Sequence, residues 1–147
     1  MEALGAAIGE AVQGRGVIYL QGDLGAGKTT LSRGLIRGRG HKGAVKSPTF
    51  TLVEPYELET GAVYHFDLYR LLDPEELEFL GVRDYFIPQS LCLVEWPDKG
   101  KGVLPMADLT ITISPKGAGR QLQIEAHSPH GLAACQYLNN KREDAHT

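Results

Sequence analysis

Cysteine is scarce: Cys92 and Cys135 are the two in 147 residues. That supplies neither a disulfide framework nor a cysteine-rich zinc site, and it suits a reducing cytosol. No apolar run reaches the roughly 18 residues that a membrane-spanning helix needs. The N-terminus, Met1-Glu2-Ala3-Leu4, lacks the basic region that opens a secretory signal. A cytoplasmic protein without a membrane anchor is therefore expected. Strong charge of one sign is also missing. Fifteen Lys and Arg stand against 18 Asp and Glu, a net charge of −3, which argues against a main task of gripping nucleic acid through its phosphates.

What the chain does have is glycine, 18 residues of it, too few and too irregular for collagen and so in need of local explanations. The length fits one domain, expected to span residues 1–147 with a frayed tail from about 138, and the 42% hydrophobic content is enough to fold it. Charge is unevenly spread. Residues 1–53 carry seven basic and three acidic side chains, +4; residues 54–98 carry two and eleven, −9; residues 99–147 return to +2. The acidic middle is either a solvated face or a surface that docks a partner, and composition leaves both open.

Periodicity alternates between element types. Leu4, Ala7, Ile8, Ala11 and Val12 recur at helical spacing. Val17 to Leu20 and Leu91 to Val94 are short apolar runs expected to be buried strands. A helix is predicted from about Gly27 to Gly38. Residues 50–57 and 62–69 read as a hairpin around Glu59-Thr60-Gly61, and residues 108–114 and 120–127 as a second. Asp73-Pro74-Glu75-Glu76 is a helix start, closed by Gly81. The expected fold is α/β: a P-loop NTPase-like domain with a mixed central sheet, two β-hairpins and flanking helices.

Gly22-Asp23-Leu24-Gly25-Ala26-Gly27-Lys28-Thr29 fits G-x-x-x-x-G-K-[ST], between an expected strand and an expected helix. Glycines let backbone N–H groups close on phosphate oxygens, and the new helix adds its N-terminal partial charge. Lys28 can then reach the outer phosphates of ATP, and the Thr29 hydroxyl can ligate Mg²⁺. A second metal partner belongs at the end of a neighbouring buried strand, which Leu91-Cys92-Leu93-Val94-Glu95 supplies in Glu95. Trp96-Pro97 ends that strand and brings an indole near the site. Thr49, in Ser47-Pro48-Thr49, stands where a switch segment would sense a γ-phosphate, although a turn hydroxyl explains it as well. Asp67 alternates with apolar neighbours, so it is an exposed-face residue or an active-site group, and periodicity does not decide.

Other features are weaker. His127, His130 and Cys135 fit no standard metal spacing. Arg33, Arg37, Arg39 and Lys42 suit a solvated helix end. Asn140-Lys141-Arg142-Glu143 departs from the guanine-reading N-K-x-D and follows no strand, so ATP is preferred to GTP.

Taken in order, the loop from Gly22 to Thr30, then Ser47-Pro48-Thr49-Phe50-Thr51-Leu52, then His65-Phe66-Asp67-Leu68-Tyr69-Arg70, then Glu95-Trp96-Pro97, together resemble the TsaE (YjeE) family. The resemblance runs from about Val17 to Glu125. It implies a compact P-loop fold and a cytoplasmic ATPase needed to make threonylcarbamoyladenosine in tRNA. The implied partners are the TsaD and TsaB proteins, whose complex attaches the group beside the anticodon of ANN-reading tRNAs and is reset by hydrolysis between turnovers. Carried over by position, the loop from Gly22 through Thr29 and Thr30 binds nucleotide with Lys28 on phosphate, while Thr29 and Glu95 hold Mg²⁺. Thr49 belongs to the switch-like loop, and Asp67 positions or activates water. Arg120, in Gly119-Arg120, matches a step near the nucleotide, and Trp96 a residue important to activity. The chain starts closer to its first helix than members of the family do, which implies that a segment able to enclose the nucleotide is absent. The stretch after His127 matches nothing in that pattern.

The leading expectation is a slow ATPase acting as an accessory subunit, without strong direct tRNA binding. Arg70, Arg83 and Arg120 all stay open as arginine fingers, and a finger supplied in trans is worth roughly 10³–10⁵ in rate. The alternatives are a small-molecule kinase, for which 147 residues leave little room for a lid and acceptor pocket, and a nucleotide-dependent binding module that does not hydrolyse.

Overall fold

Two apolar runs of the sequence, Val17–Leu20 and Leu91–Val94, lie side by side in the middle of one six-stranded sheet. The computed structural model describes residues 1–23, 26–46, 48 and 52–144, the last three as backbone only. In chain order the elements are α1 (Glu2–Ala11), β1 (Gly16–Gln21), α2 (Lys28–Gly38), β2 (Val53–Leu58), β3 (Gly61–Asp67), α3 (Glu75–Phe79), β4 (Leu91–Glu95), β5 (Leu109–Lys116), β6 (Gly119–Ala126) and α4 (Pro129–Asp144). Short 3₁₀ turns cover Val82–Asp84 and Pro97–Gly100.

The strand order is β2-β3-β4-β1-β5-β6. β3, β4, β1 and β5 run parallel, and each edge is completed by an antiparallel hairpin partner, β2 on one side and β6 on the other. The expected mixed sheet with two hairpins is therefore present. Edge placement also makes sense of Pro55, which has no N–H for a ladder and sits in β2. The parallel pairing has a direct consequence for chemistry. Glu95 is opposite Leu20 on one side and Asp67 on the other, so the carboxyl ends of β1, β4 and β3 finish in one row.

Strand alternation divides the core in two. Ile18, Leu20, Val63, Leu91, Leu93, Leu109 and Ile111 face Ile8 of α1 and Val12 just after it, and Leu31, Leu35 and Ile36 of α2. Phe66, Cys92 and Val94 face the opposite way, against Leu68, Leu71, Leu77 and Val82. Helices α1 and α2 touch backbone to backbone. A Cβ on Gly34 would lie 2.1 Å from the Glu2 carbonyl oxygen, and one on Gly5 would lie 2.2 Å from that of Leu31. Part of the glycine excess is thus a helix–helix contact, which no local motif announces. Asp73 starts α3 as expected, its Oδ1 accepting the Glu75 N–H at 2.9 Å, and Gly81 follows the helix at φ +66°.

The frayed tail expected from residue 138 is not what the structure has. Residues 138–144 are the last turns of α4. Ser128 Oγ accepts the Gly131 N–H at 3.0 Å ahead of Pro129, a side-chain cap with proline in the first turn. Ala134 is fully buried, Cys135 and Leu138 pack on the core, and Tyr137 Oη donates to Glu10 at 2.5 Å. Polar composition concealed an apolar stripe one helical turn long. Among the described residues no helix is long and apolar enough to cross a membrane.

Candidate functional site

After β1 the chain turns through Gly22 at φ +148° and Gly27 at φ +110° into the first turn of α2. A Cβ on Gly22 would stand 2.6 Å from the Ile113 carbonyl oxygen, so both the conformation and the space require glycine. The Ala26 N–H donates to the Asp23 carbonyl at 3.0 Å, which tightens the loop. Arg120, brought across by the second hairpin, donates from Nε to the Ala26 carbonyl at 3.1 Å. Thr29 and Thr30 follow Lys28 in the first turn of α2, both partly buried. Leu24, Gly25 and Thr49, the other residues expected to serve nucleotide, lie outside the described residues.

Lys28 is buried, and its ammonium donates to the Gly22 carbonyl at 2.5 Å. The same nitrogen lies 3.7 Å from the centroid of the Trp96 ring, a cation–π distance. Burial holds this ammonium below the ordinary lysine range, while Glu95, Asp67 and Asp23 push it back up. Trp96 is held at φ +58°, ψ +52°, in the left-handed region that L-residues disfavour. Its ring is tilted against Tyr69 at 5.0 Å between centroids.

The two carboxylates sit in different environments. Asp67 ends β3 half-buried, its N–H donated to the Leu52 carbonyl at 3.0 Å and its Oδ1 accepting the Tyr69 N–H at 3.1 Å. Burial raises its carboxyl above the ordinary aspartate range, and Glu95 raises it further, against the pull of Tyr69, His65 and Lys28. Glu95 is buried, and its Oε2 accepts from His65 Nε2 at 2.6 Å. The structure therefore brings Gly22, Asp23, Ala26, Gly27, Lys28, Glu95, Asp67, Trp96 and Arg120 around one end of the sheet. His65 is the member that the sequence reading passed over. The signal was available: residue 65 shares the face of Asp67, two positions further into the strand.

Chemically, this crevice offers backbone N–H groups of a helix N-terminus and one ammonium to an anion, with two carboxylates facing them. His127 and His130 lie elsewhere, bonded to Thr110 and to the Arg15 carbonyl. A cavity of about 520 Å³ between α1 and α4 is lined by Glu10, Arg15, His130 and Tyr137 and contains none of the crevice groups.

Comparison with known proteins bears on the family and the fold. The family model described as threonylcarbamoyl adenosine biosynthesis protein TsaE matches residues 1–122. The chain belongs to the TsaE family. It is 56% identical over 124 residues to the tRNA threonylcarbamoyladenosine biosynthesis protein TsaE of Haemophilus influenzae, covering 84% of this chain and 78% of that one. Against the TsaE protein of Bacillus subtilis the identity is 45% over 101 residues, covering 69% of this chain and 63% of the relative. The crystal structure of Bacillus subtilis YdiB superposes with a TM-score of 0.77 at 32% identity, covering 96% of this chain and 88% of that chain. The structural match thus extends past residue 122, where the TsaE family match stops.

Proposed function

We propose that this chain is a Mg²⁺-dependent ATPase of the cytoplasm that serves threonylcarbamoyladenosine formation in tRNA, resetting a TsaD–TsaB complex between turnovers. The observation that carries the reading is the convergence of Lys28, Glu95 and Asp67 at the start of α2, framed by Trp96 and Arg120. Lys28 and the α2 N-terminus take the phosphates. Asp67, with one oxygen committed to Tyr69, turns the other to an attacking water. Arg120 braces the loop from behind.

The donor set fits Mg²⁺. Among the described residues no group of three His, Cys, Asp or Glu side chains could hold a metal, whereas Mg²⁺ takes one or two protein oxygens and completes its shell with phosphate and water. Thr29 and Glu95 would hold it, and when bound it supplies charge neutralisation to the phosphates. Dependence on a protein partner is supported by Leu72 and Phe79, 92% and 89% exposed, among Asp73, Glu75, Glu76 and Glu78. Large apolar side chains displayed on an acidic surface suit a protein partner better than RNA.

Calorimetric titration with ATP, ADP and GTP, with and without Mg²⁺, tests the binding half. Lys28→Ala removes a charge-assisted hydrogen bond of about 1.5–3 kcal/mol, so affinity for Mg-ATP should fall about 10- to 150-fold. An unchanged affinity would remove the phosphate site. Phosphate release measured with and without purified TsaD and TsaB tests the other half. No stimulation would sink the partner-activated cycle, and a phosphorylated small molecule in place of free phosphate would point to a kinase.

A further inference from the structure

His65 is fully buried on β3, opposite Leu93, and it shares a sheet face with Val63, Leu91 and Glu95. Among the described residues its ring makes one hydrogen bond, from Nε2 to Glu95 Oε2 at 2.6 Å. A carboxylate oxygen accepts, so the proton lies on Nε2. The other ring nitrogen, Nδ1, is buried without a hydrogen-bond partner among the described residues. An imidazole has thus been taken wholly out of water with a single bond to the described residues.

Fold stability is a poor explanation of that arrangement. A buried ionic or polar pair is commonly replaced by packed apolar side chains at no loss of stability, and the neighbouring face positions, Val63, Leu91 and Leu93, are apolar already. What the bond does fix is the torsion of the Glu95 side chain. His65 lies two residues further into the sheet than Asp67, the residue in register with Glu95, so it reaches Glu95 from the core side.

We infer that His65 is a positioning residue for the divalent cation: by engaging Oε2 of Glu95 from beneath, it presents Oε1 to the ion at the start of α2. This rests on the Mg-nucleotide reading above. A partner that orients a metal-binding carboxylate changes metal affinity without touching the metal, by about 10- to 100-fold when removed. It should leave the cation-independent part of nucleotide binding alone, since the Lys28 ammonium bonds to the Gly22 carbonyl and His65 to Glu95.

The test uses the full chain, Mn²⁺ as a paramagnetic probe, and a non-hydrolysable ATP analogue, so that no turnover is needed. Mn²⁺ affinity is read by electron paramagnetic resonance, and cation-free analogue affinity by calorimetry. His65→Leu, which keeps apolar volume and removes the donor, should weaken Mn²⁺ about 10- to 100-fold and leave cation-free binding within about twofold. His65→Gln, whose amide nitrogen can occupy the place of Nε2, should recover most of the loss. If His65→Leu does not fold, His65→Asn carries the comparison, because its shorter amide does not reach Glu95. Wild-type Mn²⁺ affinity in a folded Leu or Asn variant overturns the assignment, and so does an equal loss in the Gln variant. If the unsubstituted chain binds the analogue no better with Mn²⁺ than without, the underlying Mg-nucleotide reading fails as well, and that failure is visible before any substitution.

Discussion

Trp96 gives a stringent check on the site, because the backbone and the side chain pull in opposite directions. At φ +58° and ψ +52° the residue is left-handed, which costs a non-glycine residue about 1–2 kcal/mol. Besides its packing on the second half of the core, the side chain offsets this through Lys28 Nζ at 3.7 Å from the ring and Tyr69 at 5.0 Å, worth about 0.5–2 and 0.5–1.5 kcal/mol. Trp96→Ala loses the packing and both contacts and keeps the strain, so it should be less stable than the parent by at least about 1–3 kcal/mol. Trp96→Gly loses the same contacts but releases the strain. Against this, glycine costs about 0.5–1 kcal/mol through its freer unfolded chain. The glycine variant should therefore be more stable than the alanine variant by up to about 1 kcal/mol, the reverse of the ordinary order. Urea denaturation followed by far-ultraviolet circular dichroism measures this, since both variants remove the single tryptophan. Alanine more stable than glycine at residue 96 would refute the argument that the fold holds this position in strain to keep the indole over Lys28.

Two further expectations follow from the same physics. Asp67→Asn keeps the Oδ1 that accepts the Tyr69 N–H and removes a charge that burial and Glu95 disfavour, so under the proposed reading hydrolysis should slow, while the melting temperature rises at neutral pH. Because the folded-state pKa is raised, the penalty is present above that pKa and disappears below the ordinary aspartate range; the melting difference should close as the buffer is taken toward pH 4, and a gap constant with pH would refute the electrostatic origin. Gly34→Ala ought to stabilise a helix interior by about 1 kcal/mol on propensity alone, yet its Cβ would meet the Glu2 carbonyl oxygen at 2.1 Å. A net loss of about 1–3 kcal/mol in denaturant titration is expected, and a gain would mean that α1 gives way freely.

How far the sequence discloses this molecule depends on whether the information is local. The glycine-rich sequence from Gly22 to Thr29 is local chemistry, and of its described residues Gly22, Asp23, Ala26 and Gly27 lie between β1 and α2 while Lys28 and Thr29 open the helix. Glu95 at the end of an apolar run is local too. Asp67 is not, since alternation gives it a face without naming the strand beside it; only the β3–β4 register sets it opposite Glu95. The same register brings His65 to Glu95, which explains why that histidine was legible as part of a block of residues but not as a contact. Gly5 and Gly34 are non-local in the same sense, being required by another helix's carbonyl. The C-terminal helix was missed for a different reason: its cap, Ser128-Pro129, was readable, but its apolar stripe is narrow and mean polarity obscured it.

The electrostatics of the crevice argue for joint occupancy. The Lys28 ammonium is lowered by burial and the Asp67 carboxyl is raised by burial, so each is charged at some cost to the fold. A phosphate arriving alone would gain Lys28 but meet Glu95, Asp67 and Asp23. A cation arriving alone would gain the carboxylates but meet Lys28. Each ligand cancels the repulsion felt by the other, so under the proposed reading nucleotide and Mg²⁺ must raise one another's affinity by the same factor. That coupling also gives His65 its leverage. A histidine that touches neither ligand but sets the angle of Glu95 acts on the carboxylate whose attraction for the cation lets the phosphate approach.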